Sequence, residues 1–267
     1  MRTRVITAVV ALLIFVPFVV IGGVPLMVFA SILGIIGMAE ILMMRKRYLT
    51  SVSSIVAMLG VIVAILPNSV WNPMYVPDWF NRWNVVYALI MIMLTLTVIA
   101  RDNFNFEDVG VFSLAIFYIG SGFHYFLKAR EFDYRALIFT LIIIWSTDIF
   151  AYLIGKTFGK HKLMPKVSPN KTWEGSIGGT VVAAIAAGIF VYATGFSPNG
   201  WSSIMMLIFA IMLSIAGQIG DLVESAFKRH YHVKDSGNIL PGHGGILDRF
   251  DSLLFVMPLA AMLGVIS

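Results

Sequence analysis

The sequence predicts an all-α polytopic membrane protein of about nine transmembrane helices, with its N-terminus in the cytoplasm. Its 267 residues are 59% hydrophobic and only 12% charged, and the mean hydropathy is +0.88. A soluble domain carries about 25% charged residues. Several apolar runs also reach the length of about 20 residues that a helix needs to cross a bilayer. The third observation is an uneven distribution of Lys and Arg among the predicted loops.

The first apolar run, residues 5–44, is about twice as long as one span. Gly22, Gly23 and Pro25 divide it into a helix over 5–22 and a second over 25–44.

Glu40 lies near the end of the second predicted helix, and three basic residues follow at positions 45–47. This arrangement is typical of a solvated helix end with its own counter-charges, and we favour that interpretation over a functional one. We therefore expect Glu40 to lie in water, beside Arg45, Lys46 and Arg47.

The remaining spans follow from apolar length. A third covers 51–66, and the segment after it is rich in Trp, Tyr, Pro and Asn, which predicts a short helix or loop at the lipid headgroups. Six further spans are predicted over 83–100, 109–127, 136–154, 174–195, 201–221 and from 250 to the end.

The positive-inside rule sets the orientation. With nine spans and a cytoplasmic N-terminus, fifteen of the nineteen basic residues fall on the inner side and four on the outer side. The loops after the sixth and eighth spans then share the cytoplasmic face, as one joint site requires. These loops explain the net charge of +5 better than nucleic-acid binding does. The absence of Cys excludes disulfides and thiolate sites.

The segment Gly217–Asp251 is the polar centre of this apolar chain. It contains five acidic residues, four basic residues, three His and six Gly between two predicted spans. Carboxylates bind hard cations, basic side chains bind phosphate, and a Gly-rich turn lets backbone approach a ligand closely. The composition therefore predicts a phosphate-handling site. The spacing of His230, His232 and His243 fits no common zinc pattern, although His243 in the Gly-rich turn could contact phosphate.

Two acidic helix ends within this segment could share a cation. Asp221 ends the eighth span, and Glu224 and Lys228 lie on the same helical face. Asp248 and Asp251 open the ninth span, and together with Asp221 they would offer Mg²⁺ several carboxylate oxygens. The alternative is solvated helix ends with intrahelical salt bridges, which explains Glu224 and Lys228 well but explains the aspartates less well.

Asp148 lies inside the sixth predicted span. A carboxylate there costs about 2.5–3.5 kcal/mol on insertion scales, so we expect it to face a water-filled cavity or a partner. A structural ion pair in the bundle is the alternative to a functional role.

The inner loop after the sixth span carries the sequence Ser168-Pro169-Asn170-Lys171-Thr172. Ser before Pro is typical of a helix N-cap and first position, so a helix is predicted to begin there and to enter the seventh span. Its free N–H groups and the Lys171 ammonium would form an anion site, unless they are only a capped helix with a snorkelling lysine. Nearby, Gly175 and Gly179 have the small-x-x-x-small spacing of close helix packing.

Residues 225–251 read SAFKRHYHVKDSGNILPGHGGILDRFD, and this stretch of 27 residues resembles the signature of the phosphatidate cytidylyltransferase (CDP-diacylglycerol synthase) family. The resemblance extends upstream to about Trp145, whereas the first 140 residues carry no comparable motif. The upstream matches are Asp148, Ala151-Tyr152 and Gly155, Phe158-Gly159-Lys160, Ser168 to Thr172, Glu174-Gly175 and Gly220-Asp221-Leu222.

The resemblance implies a membrane enzyme that makes CDP-diacylglycerol and pyrophosphate from CTP and phosphatidic acid, with Mg²⁺ as cofactor and a position for a second cation. It implies a homodimer in the cytoplasmic (inner) membrane with the site facing the cytoplasm, and no nucleic-acid partner. By residue match, Asp221 and Asp248 are the acidic metal positions, and Lys171, Lys228 and Arg229 are the catalytic basic residues. The match does not distinguish which carboxylates bind the metal directly. Asp148 would serve a second cation or anchor a lysine. We expect substrate contacts from matched positions in both loops: Ser168, Asn170, Lys171, Thr172, Glu174, Lys234, Asp235, His243, Gly244, Gly245 and Arg249.

These expectations divide the chain into three parts. Residues 1–82 hold three spans and the interfacial segment, 83–135 hold two spans that could form a dimer contact, and 136–267 form the catalytic part with loops 155–173 and 225–249. A transporter is the rival from another class, since intramembrane Asp and broken helices also bind transported ions. A CTP-dependent lipid kinase is the second rival. The GHGG turn is too short and misplaced for a Walker-type nucleotide fold.

Overall fold

The computed structural model describes the backbone of residues 2–71, 77, 80–100, 104–242 and 244–266, and the side chains of these residues except 2–5 and 8. The first six helices are α1 (Arg2–Ile21), α2 (Gly23–Met44), α3 (Val52–Ile65), α4 (Asn68–Trp71), α5 (Arg82–Ile99) and α6 (Phe106–Phe132). Then follow α7 (Tyr134–Phe158), strands β1 (Lys162–Met164) and β2 (Ser168–Thr172), α8 (Trp173–Thr194), a 3₁₀ turn (Pro198–Gly200), α9 (Ser203–His230) and α10 (Leu247–Met262).

The predicted all-α membrane class agrees with this architecture. Six helices, α2 and α5 to α9, are long and apolar enough to cross a bilayer among the residues described. The apolar part of α1, Val9–Ile21, and helix α3 are shorter, and α10 has 16 residues. Nine spans and the orientation stay predictions. The predicted interfacial segment begins as the short helix α4, and most of its remainder lies outside the described residues.

The chain forms two compact units. Unit 1 comprises residues 1–127 and 235–247, and unit 2 comprises 128–234 and 248–267. The motif of residues 225–251 is therefore divided between them.

Helices α3 and α6 of unit 1 approach each other closely through small residues. A Cβ on Gly60 would lie 2.6 Å from the Ile116 side chain, and one on Gly120 would overlap Ala64. Such contact brings the helix backbones together, as in many membrane bundles. The buried Asp108 of α6 pairs with Arg45 and Arg47, which follow α2.

Glu40 is not solvated, contrary to the expectation from sequence. It is fully buried within unit 1 and accepts hydrogen bonds from Ser236, Ile246 and Leu247. Its expected partners Arg45 and Arg47 bind Asp108 instead. The prediction was wrong because sequence distance favoured partners in the next turn, whereas the fold supplies donors about 200 positions away.

In unit 2 the loop after α7 forms an antiparallel hairpin, with Lys162 opposite Thr172 and Met164 opposite Ser168. The predicted helix start at Ser168 is therefore wrong: Ser168 begins a strand, and the helix begins at Trp173 with Thr172 as its N-cap. Pro disfavours helical backbone in the residue before it, so Ser-Pro suits an extended strand equally well. The anion site predicted at a helix N-terminus around Ser168 is therefore also wrong, because no helix begins at that residue.

Helices α7 and α8 pack closely along glycines of α8. A Cβ on Gly175 would lie 2.5 Å from the Ala151 carbonyl oxygen, and a Cβ on Gly179 would lie 2.8 Å from that of Thr147. The small-residue packing predicted for this pair is confirmed. Because Thr147 precedes Asp148, this contact fixes the α7 turn that carries the aspartate.

Candidate active site

Helix α9 carries the central part of the site because it continues well past the predicted end of its span. It runs to His230 without a break, and its last turn contains Lys228, Arg229 and His230, whose charges suit the negative end of the helix dipole. The expected helical face is present, since Ser225 donates to Asp221 at 3.3 Å and the Lys228 ammonium lies 2.5 Å from Glu224.

Lys228 also binds the first turn of α10. Its ammonium donates to the Asp248 carboxylate at 2.5 Å, so one lysine bridges two carboxylates. The side chains are 11% exposed for Lys228, 3% for Glu224 and 5% for Asp248. Coulomb attraction is strong at such buried positions, and Lys228 therefore joins the acidic ends of α9 and α10.

A second lysine binds the other predicted metal ligand. Lys171 of β2 lies 2.6 Å from the Asp221 carboxylate, and both side chains are about one-quarter to one-third exposed. The hairpin places Lys171 there, because β2 leads directly into the N-cap Thr172, whose hydroxyl accepts from the Gly175 amide at 3.2 Å. This pair is open to solvent, unlike the pairs of Lys228.

Two further aspartates surround these pairs. Asp148 of α7 reaches the protein surface and lies close enough to Lys171, Asp221 and Arg249 to interact electrostatically with them. Asp251 of α10 is half-buried and interacts in the same way with Asp148, Asp221 and Glu224. Three helices and one strand thus bring their charged residues together within unit 2.

Glu224 and Asp251 also belong to this cluster. The sequence indicated Asp251 as a further carboxylate for the cation, whereas Glu224 was not predicted as a site residue. The signal was present, since each lies three positions after a predicted metal ligand on the same helix. Glu224 was instead assigned to a solvated salt bridge with Lys228, and the structure shows that this salt bridge is buried.

Other predicted site residues, the substrate-binding Glu174 and the catalytic Arg229, lie near the cluster in the chain without joining its ion pairs among the described residues. Glu174 accepts hydrogen bonds from His161, including one from Nδ1 at 2.6 Å. Arg229 is exposed and donates to the Val167 and Val233 carbonyls.

The others are spread over both units. Ser168 and Asn170 are part of β2, and Lys234 and Asp235 are exposed. Gly244 and Gly245 belong to unit 1, and His243 lies outside the described residues.

The donor set fits a hard cation in its chemistry. Five carboxylates, at positions 148, 221, 224, 248 and 251, stand against three cationic side chains, at 171, 228 and 249. The buried Oε1 of Glu224 has no hydrogen-bond partner among the described residues. Over the same part of the chain, no three His, Asp or Glu side chains converge on a single point. In this structure each predicted metal ligand is instead paired with a lysine ammonium, Asp221 with Lys171 and Asp248 with Lys228.

A separate cleft of about 590 Å³ lies at the start of α7. Its lining runs from Arg130 to Arg135 and includes Thr194, so it contains none of the predicted site residues.

Comparison with known proteins gives one consistent result. The model of the cytidylyltransferase family matches residues 2–267. A phosphatidate cytidylyltransferase of Staphylococcus haemolyticus is 43% identical over 265 residues, which cover 98% of both chains. The protein of that name in Bacillus subtilis is 42% identical over 261 residues, covering 97% of this chain and 95% of that protein. A Staphylococcus aureus protein of the same name is 42% identical over 265 residues and 98% of both chains.

Proposed function

This chain belongs to the cytidylyltransferase family, and we propose that it is a phosphatidate cytidylyltransferase. The reaction transfers CMP from CTP to phosphatidic acid. A phosphate oxygen of phosphatidic acid forms a bond to the α-phosphorus of CTP, and the bond from that phosphorus to the oxygen bridging to the β-phosphorus breaks. The products are CDP-diacylglycerol and pyrophosphate.

The observation that carries this proposal is the pairing of Lys171 with Asp221 and of Lys228 with Asp248 in one unit. Phosphate transfer to a lipid phosphate brings two polyanions together, so positioned cations must lower the repulsion. The nucleophile needs little help, because a phosphate monoester has a second pKa near 6 and is mostly dianionic at neutral pH. A site of lysines and carboxylates without a general base is therefore sufficient for this chemistry.

Lys171 and Lys228 have different tasks in the proposed mechanism. Lys171 is partly exposed, so its ammonium can leave Asp221 and bind a phosphate of CTP. Lys228 is buried between Glu224 and Asp248 and keeps those carboxylates in place. Arg229 is exposed on the next position of the helix, where its guanidinium can neutralise departing pyrophosphate.

We propose Mg²⁺ as the cofactor, bound by Asp221 and Asp248, with Asp148 available to a second cation or to Lys171. The surplus of carboxylates in the cluster supports this proposal. Bound Mg²⁺ supplies charge neutralisation on the triphosphate oxygens. The substrate contacts are proposed for the matched residues of both loops, His243 included.

Location and assembly are also proposals. The distribution of Lys and Arg supports a site that faces the cytoplasm, in a protein integral to the cytoplasmic membrane. The homodimer rests on the family resemblance.

The test is turnover by the detergent-solubilised protein with CTP, phosphatidic acid and Mg²⁺. We expect one CDP-diacylglycerol and one pyrophosphate for each CTP consumed. A CTP-dependent lipid kinase would instead release CDP and transfer the γ-phosphate to lipid, so CTP labelled at the γ-phosphorus distinguishes the two. A transporter would show no turnover in detergent, where no gradient exists. If both Asp221→Asn and Asp248→Asn retain activity, Asp221 and Asp248 are not the Mg²⁺ ligands.

A further inference from the structure

Glu40 is a buried carboxylate that binds residues 236, 246 and 247 of unit 1 rather than solvent. Its Oε1 accepts from the Ile246 amide at 2.7 Å, and its Oε2 accepts from the Leu247 amide and the Ser236 hydroxyl, both at 2.9 Å. The side chain is 0% exposed. Three donors converge on the two oxygens of this carboxylate, so Glu40 links α2 to Ser236, Ile246 and Leu247.

Two glycines of the loop between Ser236 and Leu247 are shaped around the same carboxylate. A Cβ on Gly237 would lie 2.8 Å from Glu40 Oε1, and a Cβ on Gly245 would overlap the carboxylate and the Ser236 hydroxyl. Any larger residue would therefore displace the carboxylate from its donors. The loop carries Gly at these positions because the Glu40 side chain occupies the space beside them.

The position of these bonds gives them a consequence for the proposed site. Leu247 is the first residue of α10, and the amides at the start of a helix have no partner within it. A carboxylate at this end also interacts favourably with the helix dipole. Glu40 thus acts as the N-cap of α10 from 207 positions away, and the next residue in the chain is Asp248.

We infer that Glu40 is a positioning residue for the cytidylyl transfer, an inference that rests on the proposed function. By binding the Ile246 and Leu247 amides it fixes where α10 begins, and Asp248 is the next residue of that helix. Asp248 then meets Lys228 at 2.5 Å. Glu40 acts through Asp248 and does not itself contact substrate.

Asp108 is the matched control for a purely structural effect. It is also a fully buried carboxylate of unit 1, and it also accepts a backbone amide, that of Asn105 at 3.1 Å. Its other partners are Arg45 and Arg47. Asp108→Asn therefore perturbs unit 1 at hydrogen bonds other than those that Glu40 makes with Ser236, Ile246 and Leu247.

The first measurement is hydrogen exchange of peptides covering residues 236–250 in the full-length protein in detergent. Glu40→Gln keeps the shape of the side chain but removes its charge and turns an amide donor towards the loop. We expect exchange in these peptides to rise about tenfold or more in Glu40→Gln, and to rise less in Ser236→Ala. Asp108→Asn should leave it unchanged. Equal exchange in Glu40→Gln and wild type would overturn the inference.

The second measurement is kinetic. Per folded molecule, Glu40→Gln should lower kcat about tenfold and raise the Mg²⁺ concentration for half-maximal rate, while Asp108→Asn stays near wild type. If Glu40→Gln loses activity only in proportion to its folded fraction, the positioning role is wrong. If wild-type protein makes no CDP-diacylglycerol, the proposed function fails, and hydrogen exchange still decides whether Glu40 orders the loop.

Discussion

The ammonium of Lys228 lies 2.5 Å from the carboxylate of Asp248, 20 positions later in the chain. The same ammonium lies 2.5 Å from Glu224 on its own helix. Two acidic residues that would repel each other in isolation are therefore held together by one buried cation. This arrangement makes Lys228 both a structural residue and a member of the proposed site.

Replacing Lys228 with Met should destabilise the protein strongly. The change leaves Glu224 and Asp248 buried without their cation, and breaking a buried ion pair in this way costs about 3–5 kcal/mol. The unfolding temperature in detergent, followed by tryptophan fluorescence, measures the effect. Lys166→Ala removes an exposed lysine of the same unit and should change stability by no more than about 0.5 kcal/mol. Equal melting of both variants would contradict the buried bridge.

Lys171 and Asp221 should separate activity from stability. Their ion pair is partly exposed, and such pairs contribute about 0.2–1 kcal/mol. Lys171→Met and Asp221→Asn should therefore melt close to wild type, yet each should reduce cytidylyl transfer on the order of a hundredfold. Lys171→Met removes the cation proposed to bind a CTP phosphate, and Asp221→Asn removes a proposed Mg²⁺ ligand. A double-mutant cycle on melting and on kcat/KM tests both statements. Near-normal activity in Lys171→Met would remove it from the catalytic residues.

Removing divalent cations should abolish turnover without unfolding the protein. We expect a chelator to eliminate CDP-diacylglycerol formation and added Mg²⁺ to restore it, since Mg²⁺ suits carboxylate and phosphate oxygens. In Asp248→Asn the Mg²⁺ requirement should rise about tenfold to a hundredfold. The measurement is initial rate against free Mg²⁺, with melting in chelator as the control. Full activity in chelator would contradict the proposed cofactor.

The helices of this fold were largely predictable because apolar length determines where a span can lie. The Gly175 and Gly179 spacing also predicted close packing of α8, and the structure identifies α7 as its partner. The helix start predicted at Ser168 was wrong. The stretch beginning there is compatible with a helix start and with a strand, and sequence alone did not distinguish them. The hairpin partner, residues 162–164, decided the outcome.

The site was predictable where its residues share one helical face, as Asp221, Ser225 and Lys228 do. Contacts across the chain were not accessible in the same way. No local pattern indicates that Lys171 pairs with Asp221, or that Glu40 binds amides about 200 positions away. Such contacts depend on how helices pack, whereas periodicity reports only one helix at a time.

The corrected helix start can be tested with two hydroxyl residues of β2. Thr172 caps α8 by accepting from the Gly175 amide, so Thr172→Ala should lower the free energy of unfolding by about 1 kcal/mol. Ser168 opens the strand instead, and Ser168→Ala should have a smaller effect on the same melting curve. The reverse ranking would restore Ser168 as the cap.

Close packing of α7 on α8 should make Gly179 intolerant of any side chain. A Cβ there would lie 2.8 Å from the Thr147 carbonyl oxygen, which is backbone and cannot rotate away. Gly179→Ala should therefore destabilise by about 1–3 kcal/mol, and activity should fall with it, because a shift of α7 also moves Asp148. Gly110→Ala is the control, since a Cβ at that helical position meets nothing within 4 Å. Alanine there should stabilise by about 0.4–1 kcal/mol, because it restricts the unfolded chain. The two alanine variants should thus shift the melting temperature in opposite directions, and a rise in both would show that α7 and α8 are not in backbone contact at Gly179.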